Sequence, residues 1–268
     1  AVRGNAPSME AAQPLSRAKL TSRTGMNAQI HSFETAGTVD GPGLRFVLFL
    51  HGCPLRCRFC HNPDTWASGA KASMSASEIL SEVEKYSPFF KMSGGGVTIS
   101  GGEPLMQPEF LAEFLALLKS RGIHSAVDTC GYTRTDAAVE VLKAADMLLF
   151  DLKDIDPENH RKNTGCSNDV ILRNLRAMSE LRKPMIIRVP IIPGYNDSDE
   201  TLAAEADLLA SLKSVERVDI LPEHEYGKIK YTQLGKPYTL KAQSVPPERI
   251  EQIMELFRSR GLKVQNGG

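Results

Sequence analysis

Cys53, Cys57 and Cys60 stand at the spacing C-x3-C-x2-C and are three of only five cysteines in the chain. Thiolates this close together can all face one centre, and as soft ligands they suit zinc or an iron–sulfur cluster. A structural zinc site asks for four ligands and a closed shell. Cys130 and Cys166 lie far off in the sequence, fit no cluster spacing and read as ordinary small residues. A 4Fe–4S cluster on three cysteines would leave one iron without a protein ligand, open to a substrate, and cluster irons supply single electrons. The alternative is a zinc knuckle with His51 or His61 as fourth ligand, because short Cys/His runs are often zinc sites. The three-then-two spacing departs from the C-x2-C repeat of such knuckles. A disulfide fits less well, since three clustered cysteines cannot pair off and the chain reads as intracellular.

The elements that must hold these residues follow from the apolar pattern. Arg45-Phe-Val-Leu-Phe-Leu50 is a short apolar run between Gly43 and Gly52, which predicts a buried strand. The cysteines therefore occupy the loop directly after it. Gly52 and Pro54 turn that loop and let backbone approach a bulky ligand. Five more strand-like runs follow, at 97–100, 124–128, 147–153, 185–192 and 218–221. Helical patterns separate them, at 74–86, 108–120, 136–145, 168–182 and 199–211, and the first opens on a Ser75/Glu78 capping box. A last helix at 247–260 and a short edge strand at 262–264 end the chain. Strands alternating with helices predict a parallel sheet with crossover helices. Six units do not close an eight-fold barrel, which takes about 250 residues. The expected fold is α/β, an incomplete (β/α)6 TIM-like barrel open on one side.

In parallel α/β folds chemistry collects at the carboxyl ends of the strands. The cysteines follow the first strand, and Gly101, Gly102 and Glu103 follow the second. Asp128 and Thr129 end the third. Asp151 and Lys153 end the fourth, on one face either side of Leu152. His224 follows the sixth. Arg188 alone lies within its strand, the fifth, where a buried charge demands a partner. Each has a plain structural reading. Gly-Gly before Glu-Pro is a common turn, Asp151 with Lys153 is a rim ion pair worth little, and a single histidine is usually a satisfied one. Their joint position on one rim points to a site.

Composition narrows the classes. The chain has 268 residues, 41% of them hydrophobic, with 32 Lys+Arg against 32 Asp+Glu. This is an ordinary globular core, and zero net charge gives no drive toward nucleic acid or a membrane surface. No apolar run approaches the length that spans a bilayer. Residues 1–25 differ, with three Arg, one Lys and one Glu among Ala, Ser, Pro and Thr. They read as an expression tag or the remnant of an Arg- and Ser-rich organelle-targeting segment. Residues 26–268 are expected to form one domain.

The cysteine spacing after a first strand resembles that of the radical S-adenosylmethionine (SAM) superfamily. The flanks are Ile30-His-Ser-Phe-Glu34, Thr38-Val-Asp-Gly-Pro-Gly43 and, beyond the triad, His61, Asn62, Asp64, Thr65 and Trp66. They resemble the activases of glycyl-radical enzymes, and the similarity runs from about Ile30 almost to the C-terminus. The resemblance implies reductive cleavage of SAM at a 4Fe–4S cluster on Cys53, Cys57 and Cys60. The resulting 5′-deoxyadenosyl radical would take a hydrogen from a glycine of a partner protein. The resemblance also implies SAM contacts from Phe59, Cys60, His61, Gly101, Gly102, Glu103 (toward the ammonium group), Asp151, Leu152, Lys153, Arg188 and His224. A monovalent cation, Na+ or K+, would sit on Asp128, Thr129, Asp151 and the carbonyl of Leu149, hard oxygens that suit it. Asp40 would lie beside the entering substrate peptide. Several other activases carry extra cysteine clusters after the first triad, and here no cysteine lies between Cys60 and Cys130. That favours pyruvate formate-lyase as the protein substrate. Flavodoxin or ferredoxin would be the electron donor. The expected form is a cytoplasmic monomer, or an organellar one if residues 1–25 are a targeting remnant. The alternatives are an activase of another glycyl-radical enzyme, a radical SAM enzyme on a small molecule, and a non-catalytic zinc or iron–sulfur binding module.

Overall fold

The computed structural model describes residues 26–67, 72–241 and 244–267, so the expectation for residues 1–25 lies outside them. In chain order the strands are β1 (Asn27–Gly37), β2 (Arg45–Leu50), β3 (Ala72–Ser75), β4 (Gly96–Gly101), β5 (His124–Thr129), β6 (Met147–Asp151), β7 (Met185–Ile191), β8 (Val215–Pro222) and β9 (Val264–Asn266). The helices are α1 (Ala76–Glu84), α2 (Ser87–Ser93), α3 (Pro108–Ser120), α4 (Asp136–Ala144), α5 (Pro157–Thr164), α6 (Asp169–Glu180), α7 (Asp199–Ser211), α8 (Lys228–Gln233) and α9 (Pro247–Arg258). One sheet holds all nine strands in the order β3-β1-β2-β4-β5-β6-β7-β8-β9. From β2 to β9 every neighbour is parallel, while β1 runs antiparallel to both β2 and β3. The sheet is an open barrel with β3 and β9 as its edges.

The six expected strands are β2 and β4 to β8. Their apolar runs are explained by burial on both faces, as in parallel sheets covered by helices. On β5 to β7 alternate residues separate cleanly. Val127, Leu148, Phe150 and Ile187 join the main core under the helices, while Ala126, Met147, Leu149 and Ile186 form a second small cluster on the opposite, inner face. Asp128, Asp151 and Arg188 continue that inner column by the same alternation. The column is apolar low in the barrel and charged at the carboxyl rim. Arg45 plugs its lower end. It is fully buried, donates from Nε to Thr98 Oγ1 at 2.9 Å and from Nη2 to the Val97 carbonyl, and lies 3.2 Å from His124 Nδ1. Burial pulls its guanidinium down to about 10.

Sequence reading missed five elements. β1 and β3 form the antiparallel margin beside β2, and β1 buries only Ala28, Ile30 and Gly37. Two apolar alternations give little signal. α5 is the clearest case, since the residues it buries are His160, Asn163 and Thr164, so no apolar period exists to be read. α2 and α8 are short. The expected helix at 74–86 splits into the end of β3 and α1, with the Ser75/Glu78 capping box formed at the junction. The final edge strand lies two residues further on than expected.

The loop before β2 meets the start of β4 at glycines. A Cβ on Gly95 would fall 1.9 Å from the Leu44 carbonyl oxygen. Gly95→Ala is expected to cost about 2–3 kcal/mol, because backbone on both sides must move. Thermal unfolding checks this, and an unchanged midpoint would rule out the close approach.

Candidate active site

The cysteine loop is built on backbone hydrogen bonds. Gly52 N–H donates to Thr65 O at 2.8 Å, Arg56 N–H to Thr164 O at 2.7 Å and Arg58 N–H to Asn163 O at 2.9 Å. Arg56 also donates to the carbonyls of Cys53 (2.6 Å) and Leu55 (2.8 Å). On the inner side the Gly-Gly-Glu segment locks onto the loop. Gly102 N–H donates to Leu50 O at 2.9 Å and Glu103 N–H to Gly52 O at 2.8 Å. A Cβ on Gly102 would fall 2.3 Å from Gly52 O and 3.1 Å from Cys53 Cβ. Glycine is therefore required there for contact with the cysteine loop itself, a stronger constraint than the approach of a ligand.

All five cysteines among the described residues are free, and Cys53, Cys57 and Cys60 line one cavity of about 450 Å³. Burial pushes the Cys53 and Cys57 thiols up to about 12 and raises Cys60 as well. They shed their protons only to a bound cation, so loading the site releases protons. Among the described residues no three or more His, Cys, Asp and Glu side chains are gathered tightly enough to share one metal ion. Three cysteines on one cavity match the donor set of a cluster in which each thiolate takes a separate iron. Of the two histidines weighed for zinc, His61 lines the cavity and His51 does not. His61 stacks on His224 with centroids 4.1 Å apart, and Tyr226 lies 4.2 Å beyond. Burial, with His224 and Lys153 alongside, pulls His61 down to about 4, so its ring is neutral.

Opposite the cysteines is a charge network. Arg188 donates from Nε to Asp151 Oδ1 at 2.9 Å and from Nη2 to Asp128 Oδ1. Lys153 Nζ donates to Asp151 Oδ2 at 2.8 Å, and Ser100 Oγ donates to Asp128 Oδ2 at 2.6 Å. Burial opposes ionisation of both carboxylates, but their partners differ. Arg188 and Lys153 together hold Asp151 down to about 2. Asp128 has Arg188 alone and the Asp151 charge nearby, so burial wins and its carboxyl is raised. Arg188 is raised despite burial by its two carboxylates.

The structure brings Phe59, Gly101, Gly102, Glu103, Asp128, Thr129, Asp151, Lys153, Arg188, His224 and Asp40 to this same cavity. Leu149 and Leu152 are buried and do not line it. Leu152 donates its N–H to Arg188 O at 2.9 Å. Glu103 is turned into the wall and is 1% exposed. Its carboxylate accepts from Thr129 Oγ1 (2.6 Å), Cys130 N–H (2.9 Å), Cys130 Sγ (2.9 Å) and Leu105 N–H (3.1 Å). Sequence reasoning did not select Ser100 and set Cys130 aside as an ordinary small residue, although each directly adjoins a residue it selected.

An open parallel barrel with three cysteines on its first rim loop and Gly-Gly-Glu on its second defines the class of radical SAM proteins. The radical SAM superfamily matches residues 47–206. The pyruvate formate-lyase-activating enzyme of Listeria monocytogenes is 42% identical over 233 residues, 85% of this chain and 94% of that protein. That of Staphylococcus epidermidis is 41% identical over 240 residues, 87% of this chain and 95% of that protein. A crystal structure of a domain of pyruvate-formate lyase-activating enzyme from Bacteroides vulgatus shares 34% identity at a TM-score of 0.56, covering 65% of this chain and 99% of that one. The chain belongs to the pyruvate formate-lyase-activating enzymes of the radical SAM superfamily.

The low Asp151 value sets an acid limit. Its folded pKa lies below the ordinary 3.8, at about 2, so its contribution is present above 3.8 and is lost as pH falls toward 2. Asp151→Asn should be about 3 kcal/mol less stable at neutral pH, since it leaves Arg188 and Lys153 short of a buried partner. It should also lose less stability than the parent between about pH 4 and about pH 2. Urea unfolding across that range checks both, and parallel pH profiles would contradict the pairing.

Proposed function

We propose that the chain activates pyruvate formate-lyase by reductive cleavage of SAM, the 5′-deoxyadenosyl radical taking a hydrogen from one glycine of the partner. The observation that carries this reading is the cavity itself. Three free cysteines and the Asp151–Lys153–Arg188 charges face each other across about 450 Å³, in a chain 42% identical to an activating enzyme over most of its length. When bound on Cys53, Cys57 and Cys60, a 4Fe–4S cluster supplies one electron and one open iron for the amino-acid end of SAM.

The chain's own residues then have defined work. Lys153 and Arg188 are the cations facing the cavity and suit the SAM carboxylate. The backbone of Gly102 lies beside Cys53, and with Gly101, which lines the same cavity, suits the amino group. Glu103 acts there through the backbone it braces, because its carboxylate already has four donors. The His61–His224 stack offers a flat face and ring nitrogens to adenine and ribose, beside Phe59. A Na+ or K+ ion on Asp128, Thr129, Asp151 and the Leu149 carbonyl would compete with Arg188 for the same carboxylates. Binding it would release Arg188 or Lys153 toward the SAM carboxylate. Asp40, at the cavity wall, suits the entering peptide, and glycine is the residue that lets a radical approach its α-carbon unhindered. The two remaining cysteines, Cys130 and Cys166, stand at no cluster spacing, and an external donor of the flavodoxin or ferredoxin type suits the reaction. Activity as a cytoplasmic monomer fits this reading. Among the described residues no helix is long and apolar enough to cross a membrane.

Anaerobic incubation with pyruvate formate-lyase, SAM and a reductant should give a glycyl-radical signal by electron paramagnetic resonance. Cys57→Ala should give none while remaining folded. Lys153→Ala should weaken SAM binding about 30–100-fold, the loss of one charge-assisted contact of about 2–3 kcal/mol, with iron content unchanged. A radical signal from Cys57→Ala would reject the cluster assignment, and a fall in iron rather than in SAM affinity would reject the role given to Lys153.

A further inference from the structure

We infer that the outer face of the cysteine loop is the docking site of an acidic one-electron carrier protein, an inference that rests on the SAM-cleaving reading above. The inner face of the loop is committed to the cavity, where Cys53, Cys57 and Cys60 meet Lys153 and His61. An electron therefore enters from the other side. Arg56 and Arg58 flank Cys57 in sequence, with Cα atoms about 3.8 Å from its own. Cys57 is buried, Arg56 is exposed and Arg58 half-buried, so the cations stand outward where the thiol points inward.

Their guanidiniums are held ready but uncompensated. Arg56 lies 5.3 Å over the Trp66 ring and Arg58 5.0 Å over that of Tyr195. Among the described residues neither forms an ion pair, whereas the nearby acids are already engaged. Glu158 pairs with Arg161 at 2.8 Å, and Asp64 pairs with His31 at 2.8 Å and Lys230 at 3.3 Å. The end of α5 abuts the same face through the Arg56–Thr164 and Arg58–Asn163 backbone bonds, and it adds exposed Lys162. Among the described residues three cations without an ion pair, Arg56, Arg58 and Lys162, thus lie on or beside the cysteine loop. Stacked guanidiniums lose little freedom on pairing with carboxylates, and complementary charge chiefly speeds association. In the transfer the carrier is oxidised by one electron. The SAM sulfonium is reduced by one, its S–C5′ bond breaking to methionine and the 5′-deoxyadenosyl radical.

The test compares the reconstituted enzyme with Arg58→Glu/Lys162→Glu, which leaves the loop bonds of Arg56 intact. SAM cleavage is driven either by dithionite or by photoreduced flavodoxin, and flavodoxin binding is measured by calorimetry. The dithionite-driven rate should stay within about twofold, as for surface charges away from the chemistry. The flavodoxin-driven rate and affinity should fall about tenfold or more. For the parent both should also fall with salt, as the screening length drops from about 10 Å at 0.1 M to about 3 Å at 1 M. Equal flavodoxin rates in the two proteins, or salt-independent binding to the parent, would overturn the assignment. If the double variant fails to load iron, Lys162→Glu alone and the parent's salt dependence decide in the same way. Failure of the parent with dithionite would instead reject the SAM-cleaving reading.

Discussion

Two backbone hydrogen bonds, Gly102 N–H to Leu50 O and Glu103 N–H to Gly52 O, join the rim of β4 to the root of the cysteine loop. The rest of the site depends on that contact. It exists only because residue 102 has no side chain, and it fixes the Gly-Gly segment against Cys53. Glu103 then extends the brace to β5 through Thr129 and Cys130, so hydrogen bonds tie three successive rim loops together. A cluster ligand loop is otherwise a flexible surface segment. Here it is pinned on one side by β4 and on the other by the end of α5.

The second organising feature is the division of the inner face of the sheet. Low in the barrel Ala126, Met147, Leu149 and Ile186 close the interior. Two residues further along the same strands the column turns to Asp128, Asp151 and Arg188, with Lys153 above them. Burial makes each of these charges costly alone, and each is retained because another offsets it. Two carboxylates share two cations, so a ligand whose own carboxylate takes one cation must bring positive charge of its own to keep the buried charges balanced. That is the electrostatic setting in which a zwitterionic, sulfonium-bearing molecule such as SAM fits.

Much of this was legible in the sequence where burial writes an apolar run. β2 and β4 to β8, and the polar residues at their carboxyl ends, could be placed from pattern and the rim rule alone. The pairing of Asp151 with Lys153 followed from strand alternation. What stayed hidden has physical causes. α5 buries polar residues against the cysteine loop and so carries no apolar period. The antiparallel margin of β1 and β3 is half-exposed. Glu103 looked like a group offered to a ligand, but its orientation depends on Thr129 and Cys130, residues distant in sequence. The bonding of Arg188 to both Asp128 and Asp151 likewise depends on register across three strands. Short range sets which residues reach the rim, and cross-strand packing sets which way they face.

The account stands most directly on one measurement: anaerobic reconstitution with iron and sulfide, then addition of dithionite and SAM, with 5′-deoxyadenosine and bound metal determined together. The account predicts an iron-loaded protein that forms 5′-deoxyadenosine. A protein that binds one zinc tightly, loads no iron and forms no 5′-deoxyadenosine would contradict it.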